Sequence, residues 1–133
     1  MLILKRLHFW FGLVGIIIFL LTGQYMAHIV GDMSQIADGS RMLYRSAHIY
    51  LMLVSILNLF VGFYMEPANI LRMVKFQYLL SLLLLVSLVL ILYGFFFESQ
   101  NASPDRPLVS LGMFALFGAA VLLVLVKLLK RAK

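Results

Sequence analysis

No cysteine occurs in the 133 residues of this chain, which excludes disulfides, thiolate metal sites and thiol redox chemistry. Charge is scarce as well: 12% of the residues are Asp, Glu, Lys or Arg, against 64% hydrophobic. A soluble domain of this length has too small an interior to hide that much apolar surface, so the solvent must be a bilayer. Acidic residues number 5 against 11 basic ones. In a soluble protein that surplus would suggest nucleic acid. Here the cations flank apolar runs, the pattern of a membrane protein and not of a nucleic-acid binder. Prolines are few: Pro67 and Pro107 stand at the start of a loop and of a helix, where a missing N–H does little harm.

Four stretches contain no Asp, Glu, Lys or Arg: residues 9–30, 46–65, 76–97 and 108–126. About 20 helical residues cross a hydrocarbon core, and lipid leaves no partner for an open backbone, so each stretch is predicted to be a transmembrane helix. The run after Lys5 and Arg6 is longer than a signal-peptide core and no A-x-A-like site follows it, so it is expected to remain as a span. Connections are short, which predicts antiparallel neighbours in a single transmembrane domain over 1–133. One side of the membrane collects Lys5, Arg6, Arg72, Lys75, Lys127, Lys130, Arg131 and Lys133; the other holds only Arg41, Arg45 and Arg106. The positive-inside rule therefore predicts an N-in, C-in, all-α four-helix bundle in a bacterial inner membrane.

Polar residues inside spans are costly in lipid, so their faces should turn toward protein. At 100° per residue, Arg41, Tyr44, Arg45, His48, Met52, Ser55, Gly62 and Glu66 share one side of the second span. His8, Gly12, Gly15, Phe19, Thr22 and Met26 form a matching stripe on the first. An antiparallel pairing then predicts His8 level with Glu66, Gly12 near Gly62, and Met26 near His48, with Phe19 between them. The glycines would let the backbones approach closely. His28 lies about 160° away from the His8 stripe. Gln77, Ser81, Ser87 and Gly94 in the third span, and Gly112, Ala115 and Ala119 in the fourth, suggest close-packing surfaces.

Imidazole is a common ligand of haem iron. His8 and His48 are candidate axial ligands in opposite leaflets, with Met26 or His28 as a second ligand to the iron. Arg41, Tyr44 and Arg45 form a cationic patch one to two turns beyond His48, suited to haem propionates or a lipid phosphate. Alternatives remain for each: a histidine held by a carbonyl or by Glu66, and arginines that snorkel into head groups. Missing features exclude other four-span classes. Quinone-linked thiol oxidases need cysteine pairs, and small multidrug exporters need a carboxylate within the first helix.

Leu7-His8, Leu43-Tyr44-Arg45 and Lys75 together resemble the bacterial four-helix membrane protoporphyrinogen oxidase family. That family has a similar length, a His early in its first helix, a Leu-Tyr-Arg opening its second and a Lys opening its third. Its further histidines, and a Trp near its third helix, have no counterpart here. The resemblance implies haem b. The leading expectation is thus a membrane protein binding haem b in a redox or haem-handling role. Two alternatives are an accessory subunit of a larger membrane complex and a small transporter working as a homo-oligomer, with His8 and Glu66 as a proton-sensitive pair. In every case the lipid bilayer is a partner.

Overall fold

A computed structural model describes residues 2–28, 35–66, 71–100 and 105–131, with side chains from 3–28, 35–66, 73–100 and 105–129. Residues 29–30 of the first predicted span, Pro67, and the side chains of Arg72, Lys130, Arg131 and Lys133 lie outside that description. Four helices account for nearly all of it: α1 (Leu2–His28), α2 (Asp38–Tyr64), α3 (Leu71–Phe97) and α4 (Pro107–Arg131). All four are long and apolar enough to cross a bilayer. The chain is therefore a small multi-pass membrane protein, an all-α bundle of four helices. The helices run past the charge-free stretches and carry Lys5, Arg6, Arg41, Arg45, Lys75 and Lys127 within their ends. Long cationic side chains can reach back to the interface from there.

The layout is two hairpins joined along their inner helices. α1 packs along α2 and α3 along α4, while α2 and α3 make a lighter contact. α1 touches α3 marginally, α2 touches α4 marginally, and α1 and α4 do not meet among the described residues. Consequently 17% of the span in α1 is buried against 44% of that in α3: the outer helices meet lipid over most of their surface. We call the end holding the starts of α1 and α3 proximal, and the end holding the starts of α2 and α4 distal.

Each helix buries a seam with a 3-4 repeat. In α2 it runs Ser40, Tyr44, Ala47, Leu51, Val54, Asn58, Val61 and Met65. In α3 it runs Met73, Gln77, Leu80, Leu84, Ser87, Ile91 and Gly94. α4 buries Val109, Gly112, Leu116, Ala119 and Val126, and α1 buries His8, Gly12, Gly15 and Thr22. Such spacing packs helices at about +20° in a left-handed bundle. The buried positions of α1 are small or polar while its Leu, Ile and Val face outward. In a bilayer this is no paradox: lipid is as apolar as leucine, so association rests on close packing and hydrogen bonds.

The α3–α4 turn is tied by one side chain. Glu98, just past α3, accepts the N–H of Leu108 at 2.7 Å and of Val109 at 3.1 Å. Pro107 opens α4 without an N–H of its own, so this carboxylate serves the next two donors of the helix terminus.

Candidate functional site

The α1–α2 seam concentrates the polar groups. A Cβ on Gly62 would stand 2.6 Å from the backbone nitrogen of Phe9, and one on Gly12 would stand 2.6 Å from that of Leu59. Gly15 abuts the Ser55 hydroxyl, which donates to the Leu51 carbonyl at 2.6 Å. Only glycine permits backbones this close. Of the predicted polar stripe, His48, Ser55 and Gly62, spaced by seven, face α1, whereas Arg45, Met52 and Glu66 are exposed. The pairing differs by about one turn. Gly12 meets Leu59 instead of Gly62, and Thr22 and Gly23 meet His48 where Met26 was expected. Met26 instead packs half-buried against the apolar core.

His8 is fully buried, and its Nδ1 lies 2.8 Å from Asn58 Oδ1. The Asn58 amide nitrogen donates to the Val54 carbonyl at 2.9 Å, which fixes the orientation of the amide. Its oxygen can only accept, so His8 Nδ1 carries the proton and Nε2 keeps its lone pair. That Nε2 is buried without a protein partner. Gly15 approaches Leu88 of α3, so His8 and Ser81, each seven residues earlier on parallel helices, lie at one depth. The buried Ser81 hydroxyl also has no protein partner. The two offer a lone pair and an O–H to a third polar group such as water. His8 is thus paired with Asn58 and not with Glu66, which is exposed at the proximal end.

His48 lies about 14 residues further along α1, level with Thr22, roughly 21 Å from His8 by helical rise. The two cannot share one metal ion. The His48 ring stacks on Phe19, centroids 4.1 Å apart and planes 18° apart. Thr22 Oγ1 donates to the Phe19 carbonyl at 2.9 Å and lies 3.0 Å from His48 Nδ1. Since the threonine proton is used, His48 Nδ1 donates and Nε2 keeps its lone pair. A Cβ on Gly23 would stand 3.7 Å from that Nε2, so Gly23 borders this edge of the ring. Anchoring one ring nitrogen by a hydrogen bond is how a ligating histidine is oriented.

The remaining predicted residues are dispersed. His28, the last residue of α1, is exposed, and its Nε2 lies 3.1 Å from Gln24 Oε1 one turn back. Arg41 is half-buried and paired with Asp38, while Arg45 is exposed. Tyr44 turns away from both: it sits in the core seam with its ring edge-on to Phe95 at 5.3 Å. Asn58, Thr22 as a histidine anchor, and Gly23 are the parts that sequence reasoning missed. Asn58 was detectable as the one amide in the charge-free run of the second span.

For haem, the test is whether a lone pair and space coincide. The α1–α2 interior has no room for a macrocycle, because backbones touch at Gly12 and Gly62. His48 Nε2, at the edge of the pair beside Gly23, offers the lone pair. Among the described residues no three His, Asp or Glu side chains converge to hold a metal ion. No protein-family model, no curated protein and no solved structure matches the chain.

Proposed function

We propose that this membrane protein binds haem b at the distal edge of the α1–α2 pair, in a redox or haem-handling role. One observation carries the reading: His48 is held by Thr22 in the tautomer that leaves Nε2 free beside a glycine. In it, His48 is the iron ligand and Thr22 and Phe19 fix the ring. Arg45, one turn toward the distal end, neutralises a propionate; Arg41, a turn beyond it, is engaged by Asp38. Haem would supply one-electron chemistry or be passed to another protein. The cation distribution favours a bacterial inner membrane with the distal end outward. Visible absorption of the gently solubilised protein tests the reading. A Soret band should appear, disappear in His48→Ala and Gly23→Val, and survive His28→Ala. No band in the unmodified protein removes the haem assignment.

A second reading takes as a contact face the outward flank of α1, Leu13, Val14, Ile17, Leu20 and Leu21, which the described residues of the other helices leave exposed. In that reading the chain is an accessory bundle that packs against another copy or a larger membrane complex. Cross-linking from cysteines introduced at Ile17 and Leu21 within native membranes distinguishes it: a monomer at all positions would refute it.

A further inference from the structure

The distal end holds a second cationic feature, unrelated to the histidines. Arg106, just before α4, crosses to α2. Its Nη1 donates to Ser46 Oγ at 2.8 Å and its Nη2 to the Leu43 carbonyl at 3.2 Å. Both partners are neutral. Its Nε is buried and has no protein partner. The nearby carboxylate, Glu98, already caps the start of α4 with both oxygens, and Asp105 is exposed and does not line the adjoining groove. Burial pushes Arg106 below the usual guanidinium range, opposed by Glu98 and Tyr50; it remains a cation at neutral pH.

Below Arg106 the marginal contact between α2 and α4 leaves a groove of about 450 Å³, lined by Tyr50, Arg106, Ser110, Met113, Phe114 and Phe117. Its polar residues sit at the distal mouth and its apolar ones run inward. From Arg106 to Phe117 the helical rise is roughly 16 Å, about half of a ~30 Å hydrocarbon core. A charge at head-group depth and an apolar channel one leaflet long describe a single class of occupant. We propose that the α2–α4 groove is a binding site for one anionic phospholipid of the distal leaflet, its phosphate on Arg106 and one acyl chain along Phe114 and Phe117. Bridging two helices that scarcely touch, the lipid joins the hairpins at this end.

Native mass spectrometry of the full chain in mild detergent, titrated with phosphatidylglycerol, phosphatidylcholine or inorganic phosphate, tests the assignment. Phosphatidylglycerol should bind one per chain, ahead of phosphatidylcholine. Arg106→Gln should weaken it about fivefold or more, the share of one interfacial cation. Lys75→Gln removes the same charge at the proximal end and should change nothing. Since Arg106→Gln also cuts bonds to α2, Ser110→Trp serves as an independent variant that fills the groove and leaves those bonds in place; it too should lower binding. Equal affinity for the two lipids, equal loss in Lys75→Gln, or full retention in both groove variants would overturn the proposal. Inorganic phosphate that displaces the lipid at similar concentration would assign a free-anion site instead, and so overturn it as well.

Discussion

The two hairpins use the same packing geometry for different contents. In α3–α4 the seam is mostly Leu, Ile, Val and Ala, with Gln77, Ser81 and Ser87 as its buried polar side chains and, among the described residues, one hydrogen bond between the two helices, Ser87 to the Gly112 carbonyl at 2.7 Å. In α1–α2 the seam holds two histidines, an asparagine, a threonine and a serine, between backbones in direct contact. Polar groups in a membrane interior are expensive, and α3–α4 packs closely without a histidine or an asparagine. The two histidines and their partners in one hairpin are the ground on which function is proposed there. The glycines differ too. At Gly62 an added Cβ meets the backbone of Phe9, whereas at Gly112 the nearest atom, at 2.7 Å, belongs to the side chain of Ile91.

That difference yields the largest expected effect. Gly62→Ala forces α1 and α2 apart, because backbone cannot step aside, and should cost about 2–3 kcal/mol. Gly112→Ala meets the Ile91 side chain first and the Ile91 backbone nitrogen only at 3.3 Å, so it should cost less, about 1 kcal/mol. Thermal unfolding of both variants in one detergent measures the contrast. Equal melting temperatures would mean that the two seams are equally tight and the comparison fails at its base.

Much of this contrast is hidden from the sequence, for reasons that individual residues make plain. Span number and antiparallel order are legible because charge-free runs of about 20 residues permit little else in a bilayer. The facing of His48, Ser55 and Gly62 toward α1 is legible because a seven-residue spacing keeps them on one side. Register is not: a connection of several residues tolerates a slip of one turn, which moves Thr22 into the place expected for Met26. Asn58 escapes because it belongs to the neighbouring seam of Leu51, Val54 and Val61, which is otherwise apolar. Tyr44 shares the depth of Arg45 yet turns into the core, since it continues the 3-4 repeat from Ser40 to Ala47. Glu98 and Arg106 look like ordinary interfacial charges until the α3–α4 turn brings both to the start of α4.

Asn58 offers the next test. Asn58→Leu removes the acceptor of His8 and leaves a buried N–H without a partner, at a cost of about 1–2 kcal/mol. The double variant His8→Leu, Asn58→Leu removes both polar partners and should recover part of that loss. A double-mutant cycle by thermal unfolding reads the coupling. Additive losses would show that His8 and Asn58 do not interact, and that the polar content of α1–α2 is incidental.

On the other hairpin, Glu98→Gln keeps one carbonyl oxygen for the start of α4 but removes the second acceptor and the charge. Loss of a charged cap at a helix terminus is worth about 1 kcal/mol. Protection of the Leu108 and Val109 amides against hydrogen exchange should fall, while that of α1–α2 amides stays unchanged. A fall in both hairpins together would show that they open as one unit and would blur the division between them.

The smallest change in stability is expected at Thr22, and it is the most informative about role. Interhelical hydrogen bonds inside membrane bundles average about 0.6 kcal/mol, so Thr22→Val should scarcely move the melting temperature. Its effect on His48 should be larger. With the hydroxyl gone, nothing in the α1–α2 seam requires the proton to stay on Nδ1, and the Phe19 stack holds the plane of the ring but not its tautomer. Nitrogen-15 chemical shifts of labelled histidine report which ring nitrogen is protonated. In the unmodified protein the Nδ1–H form should dominate at both His8 and His48. In Thr22→Val it should give way at His48 to a mixture, with His8, held separately by Asn58, unaltered. An Nε2–H signal at His48 in the unmodified protein would contradict the assigned hydrogen bond. It would also remove the free lone pair on which the proposed haem ligation rests, leaving the polar seam of α1–α2 a packing device like its apolar counterpart.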